Sequence, residues 1–232
     1  MVNPAHPPRP VRIIVRKRFH FLLAALLGQL VISPFLTGVG SVIAQDLIFL
    51  AILLTALGAV RQSRLYRFIL GLAVLCAVSL VGKYTMNLPF ITIVGDAVGV
   101  LVILLTAVEV SRYLAIQRRV DLDTVFGGLC VYLFIGAMWY SLYGLLVRLE
   151  PGAFDYTVHA RHGAAFASQG MDRLLFFYSY VTLLTTGYGD IVPMSPMAQV
   201  LSVLEGIIGQ FYLVFFMARL VGLHVAGGQE NA

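Results

Sequence analysis

Charged residues are scarce in this sequence: Asp, Glu, Lys and Arg together make up 12% of its 232 residues, whereas 59% are hydrophobic. A typical soluble domain has about 25% charged residues, so the composition excludes a large soluble domain and favours a protein that crosses a membrane several times. The formal net charge of +5 does not indicate a nucleic-acid partner, because the basic residues form short tracts between apolar runs.

Cysteine is also rare, and both cysteines, Cys76 and Cys130, lie within apolar runs. This placement argues against a disulfide framework or a metal site built on thiolates. No constellation of His, Cys or carboxylates is clustered near the end of an apolar run, so the sequence indicates neither an enzyme nor a bound cofactor.

Six apolar runs are long enough to cross a bilayer of about 30 Å, which takes about 20 helical residues. A seventh run, 172–185, is too short to span and leads directly into glycines, as expected for a re-entrant helix followed by extended chain. We therefore predict an all-α membrane protein with transmembrane helices over 20–37, 42–60, 66–82, 90–111, 125–147 and 196–222.

The basic residues predict the orientation of these helices. With the N-terminus inside, all 16 lysines and arginines lie in inner segments except Lys83, Arg148, Arg161 and Arg173. We therefore expect a multi-pass protein of the plasma (inner) membrane with both termini cytoplasmic and the re-entrant stretch entering from outside. In an alternative interpretation the first run is a cleaved signal peptide, but the remaining five spans could not then keep all the basic tracts inside.

One short motif carries the chemistry. The segment Tyr180–Asp190 reads YVTLLTTGYGD and resembles the signature of the potassium channel superfamily. In such a filter, a dehydrated potassium ion is held by rings of backbone carbonyls contributed by four chains. Gly187 and Gly189 permit the positive φ angles that this alignment of carbonyls requires. The segment follows a short apolar helix and lies between two predicted spans, which makes a chance occurrence of the triplet less probable.

The resemblance implies roles for individual residues. The potassium-coordinating carbonyls would be those of Thr185, Thr186, Gly187 and Tyr188, the Thr185 hydroxyl would add an innermost ring, Gly189 would complete the filter, and Asp190 would stand at its mouth. Phe177 and Tyr178 would brace the filter tyrosine. Val181 departs from relatives that place a glutamate there, so the bracing is expected to differ in this chain. Because the chain has one filter and no internal repeat, four chains must assemble as a homotetramer.

The sixth predicted helix begins with Ser195 as its N-cap and Pro196 in its first turn. Gly209 follows Gly189 by the separation at which the family has a hinge glycine, although close helix packing would also favour a small residue. On the same alignment Gln210, Leu213 and Met217 would line the permeation path. Glu205 is an acid well inside this helix, and its role stays open, as do those of Asp46 and Asp96 in earlier helices.

The predicted order of helices, with the pore loop between the last two, resembles the six-helix, single-pore-loop architecture of voltage-gated potassium channels. The predicted fourth helix, however, has no Lys or Arg between Phe90 and Val110, so the arginine-bearing voltage sensor is missing. Arg61, Arg64 and Arg67 have the spacing of a sensor but lie in a short inner link, where topology explains them. The predicted parts are a cytoplasmic segment 1–19, a four-helix module 20–111, a cytoplasmic linker 112–124, a pore domain 125–222 and a cytoplasmic tail 223–232. Within the pore domain, the predicted ranges are 125–147 for the outer helix, 172–185 for the pore helix, 185–190 for the filter and 196–222 for the inner helix.

The sequence thus predicts a potassium-selective channel subunit that is not steeply voltage-gated. We expect the lipid bilayer and further copies of the chain as its partners, and the sequence names no regulatory partner. Two alternatives stay open: a weakly selective cation channel, and a non-conducting membrane accessory subunit with a vestigial filter. The compact chain is typical of bacterial members of this superfamily.

Overall fold

The computed structural model describes residues 18–35, 40–59, 61, 63–86, 88–117, 121–157 and 171–229. Within these ranges the chain is almost entirely helical, as predicted for the all-α class. The α-helices are α1 (Arg18–Ile32), α2 (Gly40–Ala59), α3 (Tyr66–Met86), α4 (Pro89–Ala115), α5 (Leu122–Leu149), α6 (Met171–Leu183), α7 (Pro196–Phe211) and α8 (Ala218–Gln229). A short 3₁₀ turn, Ser33–Phe35, follows α1, and a π-helical segment, Tyr212–Met217, joins α7 to α8 without a break.

Four of these helices are long and apolar enough to cross a bilayer: α3, α4, α5, and the continuous helix that runs from α7 into α8. The apolar parts of α1 and α2 that the structure describes, Phe19–Ile32 and Ile43–Gly58, are shorter than the 18 residues required of a candidate span. The multi-pass membrane fold is therefore supported, whereas the count of six spans stays a prediction.

Helix α5 forms the centre of the core and contacts α1, α4, α6, α7 and α8. It begins at the N-cap Asp121, whose side chain accepts a hydrogen bond from the Thr124 amide at 2.9 Å. Its buried face includes Cys130, Trp139 and Tyr143, which bury much apolar surface against the neighbouring helices. A single helix therefore joins the first four helices to the pore loop.

A two-stranded antiparallel ladder closes the base of the pore loop. β1 (Phe154–Asp155) follows α5, and β2 (Val192–Pro193) precedes α7. Ser195 then caps α7, as predicted, by accepting a hydrogen bond from the Ala198 amide at 3.2 Å. The ladder brings the end of α5 close to the start of α7, so the intervening segment returns to its starting point.

The helix bounds can be compared with the predicted ones. The predicted outer, pore and inner helices, 125–147, 172–185 and 196–222, compare with α5, α6 and the continuous α7–α8 helix. In the predicted linker 112–124, α4 continues to Ala115 and Asp121 caps α5, while residues 118–120 lie outside the described ranges. Most of the predicted N-terminal segment, residues 1–17, and the last three residues of the tail also lie outside them.

Candidate functional site

The short helix α6 ends in a Schellman motif at the start of the candidate filter. The Thr185 amide donates to the Thr182 carbonyl and the Thr186 amide to the Val181 carbonyl, both at 2.9 Å. Thr185, the first residue after the last helical turn in this motif, has φ +57°. This position usually holds glycine, because a Cβ in the left-handed region costs about 1–2 kcal/mol. A β-branched residue is therefore held here in a strained backbone conformation, as is common at functional sites.

Positive φ angles recur at every second residue of this segment: +57° at Thr185, +56° at Gly187 and +76° at Gly189. In an ordinary extended chain, successive peptide units point to opposite sides. Alternating the sign of φ turns them toward one side, so that neighbouring backbone groups can face the same ion. The segment therefore has the backbone alternation that a row of coordinating carbonyls requires.

The candidate filter is exposed in the single chain. All residues from Thr185 to Gly189 are exposed, and Asp190 is half-buried. The Tyr188 side chain is 69% exposed, which is unusual for an aromatic ring that follows a buried helix. Within the described residues no group of three or more His, Cys, Asp or Glu side chains could hold a metal ion.

The two residues predicted to brace the filter lie in different surroundings. Phe177 stacks on Tyr188, with ring centroids 6.0 Å apart and planes 1° from parallel. Tyr178 instead points into the core, where its hydroxyl lies 2.6 Å from Ser202 Oγ and its ring packs edge-on against Tyr143. Within one chain, therefore, Phe177 contacts the filter tyrosine and Tyr178 links the pore helix to α7.

Helix α5 holds the pore helix from behind through side-chain hydroxyls. Tyr132 donates to the Leu183 carbonyl at 3.1 Å, and Tyr180 donates to the Leu133 carbonyl at 2.9 Å. The Tyr180 ring lies so close to Gly136 that a Cβ there would be 2.6 Å from it. The last turn of α6, which positions the start of the candidate filter, is thus fixed by polar contacts at both of its ends.

The candidate hinge, Gly209, is a position of close packing. It is buried, and a Cβ added to it would lie 2.5 Å from Leu183 Cδ1 and 3.3 Å from the Leu183 carbonyl oxygen. At Gly209 the inner helix therefore approaches the end of the pore helix closely, because this residue has no side chain. This observation favours the packing interpretation, while the hinge role stays a prediction.

The three residues predicted to line the permeation path do not share one environment. Gln210 is exposed, whereas Leu213 and Met217 are half-buried. Met217 Sδ would lie 2.6 Å from a Cβ on Gly128, so this side chain packs against α5. The π-helical segment Tyr212–Met217 changes the register of the helix, which a count of 3.6 residues per turn does not anticipate.

Comparison with known proteins shows what part of this chain is similar to. Residues 125–224 match the family model described as "Ion channel", which includes the outer helix, pore helix, candidate filter and inner helix. "Two-pore potassium channel 4" of Arabidopsis thaliana is 40% identical over 57 residues, which is 25% of this chain and 20% of that protein. The part of the chain from the predicted outer helix to the predicted inner helix is therefore similar to ion channels, and a stretch of 57 residues is similar to a potassium channel. The chain covers only about a fifth of the length of that relative, and no solved structure matches it significantly.

Two acids in the first four helices have basic partners that local sequence patterns do not reveal. Asp46 on α2 pairs with Lys83 at 3.1 Å, and Asp96 on α4 pairs with Arg148 at 2.7 Å. Both cations were predicted to lie in outer segments beyond the spans. Because α3 continues to Met86 and α5 to Leu149, the two side chains are instead carried on helices beside the acids.

A cavity of about 110 Å³ brings together Gln29, Asp46 and Asp96, which are polar residues of three different helices. Lys83 and Arg148 also line this cavity, where they pair with the two acids, and Asp172 is a third acid in the lining. Since Arg148 belongs to α5, the Asp96–Arg148 pair connects α4, in the predicted four-helix module, directly to α5, the predicted outer helix of the pore domain. This ion pair is a structural link between the two helices.

The three arginines that have the spacing of a voltage sensor lie at and near the start of α3. Arg61 and Arg64 are in the short link between α2 and α3, and Arg67 is in the first turn of α3. All three are exposed. The structure thus places them at the end of a helix, where the positive-inside rule accounts for basic residues.

Sequence reasoning missed the roles of Ser179 and Tyr143. Both contact Glu205, whose side chain is fully buried. An acid inside an apolar helix was the one available signal, but the positions of its partners, 26 and 62 residues away, leave no pattern in the sequence. These three residues are considered further below.

Proposed function

We propose that four copies of this chain form a potassium-selective channel that mediates passive potassium flux across the plasma membrane. The observation that carries this proposal is the alternation of positive φ at Thr185, Gly187 and Gly189, directly after a short helix enclosed by two membrane-spanning helices. One such strand can coordinate an ion from one side only. Four strands related by a rotation axis surround it, and the exposure of the filter residues in the single chain is in keeping with such assembly.

The pore helix contributes to the same function electrostatically. Its C-terminal end, which carries partial negative charge, leads directly into Thr185. In a ring of four subunits these ends would converge below the filter and favour a cation in the central cavity. The candidate filter would then exchange water for carbonyl oxygens as the ion enters.

Replacement of the filter glycines by alanine tests the proposal. Gly187→Ala and Gly189→Ala each place a Cβ at a positive φ, which is expected to displace the coordinating carbonyls and abolish potassium selectivity. Gly152→Ala is the matched control, because Gly152 has φ +95° and open space around it but lies in the turn after α5. Reversal potentials of the reconstituted channels in mixed potassium and sodium measure the effect.

The possible outcomes separate the alternatives. Selective current in the wild-type protein and in Gly152→Ala, lost in both filter variants, supports the proposal. A wild-type reversal potential near that of a non-selective pore would identify a weakly selective cation channel instead. Absence of any flux from purified tetramers would identify an accessory subunit, and cross-linking that ends below four subunits would contradict the assembly.

A further inference from the structure

Glu205 lies at the meeting point of the three helices of the pore domain. It is carried by the inner helix α7, and its side chain is fully buried. One carboxyl oxygen, Oε2, lies 2.6 Å from the Tyr143 hydroxyl on the outer helix α5, and the other, Oε1, lies 2.5 Å from Ser179 Oγ on the pore helix α6. Ser179 Oγ also lies 2.8 Å from the Gly136 carbonyl oxygen on α5.

The protons of this cluster can be counted. The three short contacts join Tyr143 to Glu205, Glu205 to Ser179, and Ser179 to the Gly136 carbonyl. Each needs one proton. The Tyr143 and Ser179 hydroxyls supply one proton each, and a carbonyl oxygen supplies none. A carboxylate would leave one of the three contacts as two facing acceptors, whereas a carboxylic acid supplies the missing proton.

The surroundings of Glu205 agree with this count. The ion pairs found within the described residues join other side chains, and none involves Glu205. A buried carboxylate without a cation is strongly disfavoured, whereas a buried carboxylic acid with both oxygens hydrogen-bonded is not.

We propose that Glu205 is held as a neutral carboxylic acid and acts as a positioning residue for the pore helix. Tyr143 donates to Oε2, the protonated Oε1 donates to Ser179, and Ser179 donates to the Gly136 carbonyl. This chain of hydrogen bonds runs from the outer helix through the inner helix to the pore helix and back to the outer helix. Its effect on ion selectivity rests on the proposed channel function, but its protonation does not.

A second contact holds the same pair of helices one turn away. Ser202 on α7 donates to the Ala198 carbonyl at 2.6 Å, so its single proton is used. The Tyr178 hydroxyl, 2.6 Å from Ser202 Oγ, must therefore be the donor between them. Glu205 and Ser202 are three residues apart and thus share a face of α7, from which they bind neighbouring residues of the pore helix.

Infrared spectroscopy of the full-length protein tests the protonation directly. The wild-type protein is expected to show the carbonyl band of a protonated carboxylic acid at neutral pH, and Glu205→Gln should remove it. Glu150→Gln is the control, because Glu150 is exposed at the end of α5 and its replacement should leave the band unchanged. A wild-type spectrum without the band would overturn the proposal.

Two substitutions test the positioning role. Glu205→Gln keeps an acceptor for Tyr143 and a donor for Ser179, so its melting temperature should stay within about 2 °C of wild type. Glu205→Met has a similar volume but leaves the Tyr143 hydroxyl buried without an acceptor, and should melt about 4 °C lower or more. Adding Tyr143→Phe to Glu205→Met should restore part of this loss, because it removes the orphaned hydroxyl.

Ion selectivity provides the functional readout. Glu205→Gln should retain the wild-type ratio of potassium to sodium permeability. Glu205→Met should lower this ratio at least about tenfold, because the loss of about one buried hydrogen bond would misplace the filter and corresponds to a factor of about ten. Equal losses in both variants would show that the charge is needed and would refute the proposal. If wild-type protein conducts no potassium, the proposed function fails, and the infrared band and melting temperatures still decide the state of Glu205.

Discussion

Replacing Gly209 by alanine separates a hinge in the inner helix from a point of close packing. The added Cβ would lie 2.5 Å from Leu183 Cδ1 and 3.3 Å from the Leu183 carbonyl oxygen. Leu183 is fully buried, so its side chain can move away only by displacing the residues packed around it. Its carbonyl oxygen is also fixed, because it accepts the Tyr132 hydroxyl. Alanine at this position must therefore push the inner helix away from the end of the pore helix.

The size of the effect follows from two opposing contributions to the free energy of unfolding. Glycine to alanine inside a helix stabilises by about 0.5–1 kcal/mol through the backbone entropy. Forcing a methyl group into a packed core costs about 1–3 kcal/mol. At Gly206, one turn earlier, a Cβ would meet no other element of the described part of the chain within 4 Å, so only the first contribution applies. Gly209→Ala should therefore be less stable than Gly206→Ala by the steric cost, about 1–3 kcal/mol.

Denaturant unfolding of both variants in the same detergent would measure this difference. Adding Leu183→Ala should recover part of the loss in Gly209→Ala and none in Gly206→Ala, which a double-mutant cycle detects as a coupling energy. Equal stability of the two glycine variants would refute the packing argument. If Gly209→Ala kept its stability but the channel no longer opened, the hinge interpretation would be correct instead.

Two further predictions concern the voltage response and the end of the pore helix. Steep voltage gating uses about three or four charges per subunit, each worth about 2.3 kcal/mol per 100 mV. Because the helix between Phe90 and Val110 has no basic residue, open probability should change only shallowly with voltage. A steep conductance–voltage curve in a plain bilayer would contradict this. Thr185→Gly should relieve the left-handed strain and raise the free energy of unfolding by about 1–2 kcal/mol. The same change removes the innermost hydroxyl, so the variant should be more stable but less selective for potassium than the wild-type protein. An unchanged or lower stability would show that Thr185 is not strained.

Local sequence patterns were sufficient for the all-α class and for the four long apolar helices that qualify as membrane spans. Membrane helices are selected by length and apolarity, both of which are read along the chain. Ser195 and Pro196 signal the start of the inner helix through capping, which involves only neighbouring residues. The two filter glycines signal positive φ because few other residues tolerate it.

Only the three-dimensional structure showed the features that hydropathy and motif spacing do not report. No local pattern predicts a threonine in the left-handed position of a Schellman motif, since that position ordinarily selects glycine. The partners of Asp46 and Asp96 depended on how far α3 and α5 extend beyond their apolar runs, which hydropathy does not report. The surroundings of Met217 depended on the π-helical turn, which shifts the register of every residue after it.

Glu205 shows the division most clearly. Its sequence context, an acid in an apolar helix, is enough to predict that it must find hydrogen-bond partners, because an isolated carboxylate in a membrane is too costly. Which partners it finds, and therefore how many protons the cluster holds, depends on three helices meeting at one point. The sequence by itself determines the need for compensation, and only the packing of α5, α6 and α7 determines that hydroxyl groups rather than a basic side chain provide it.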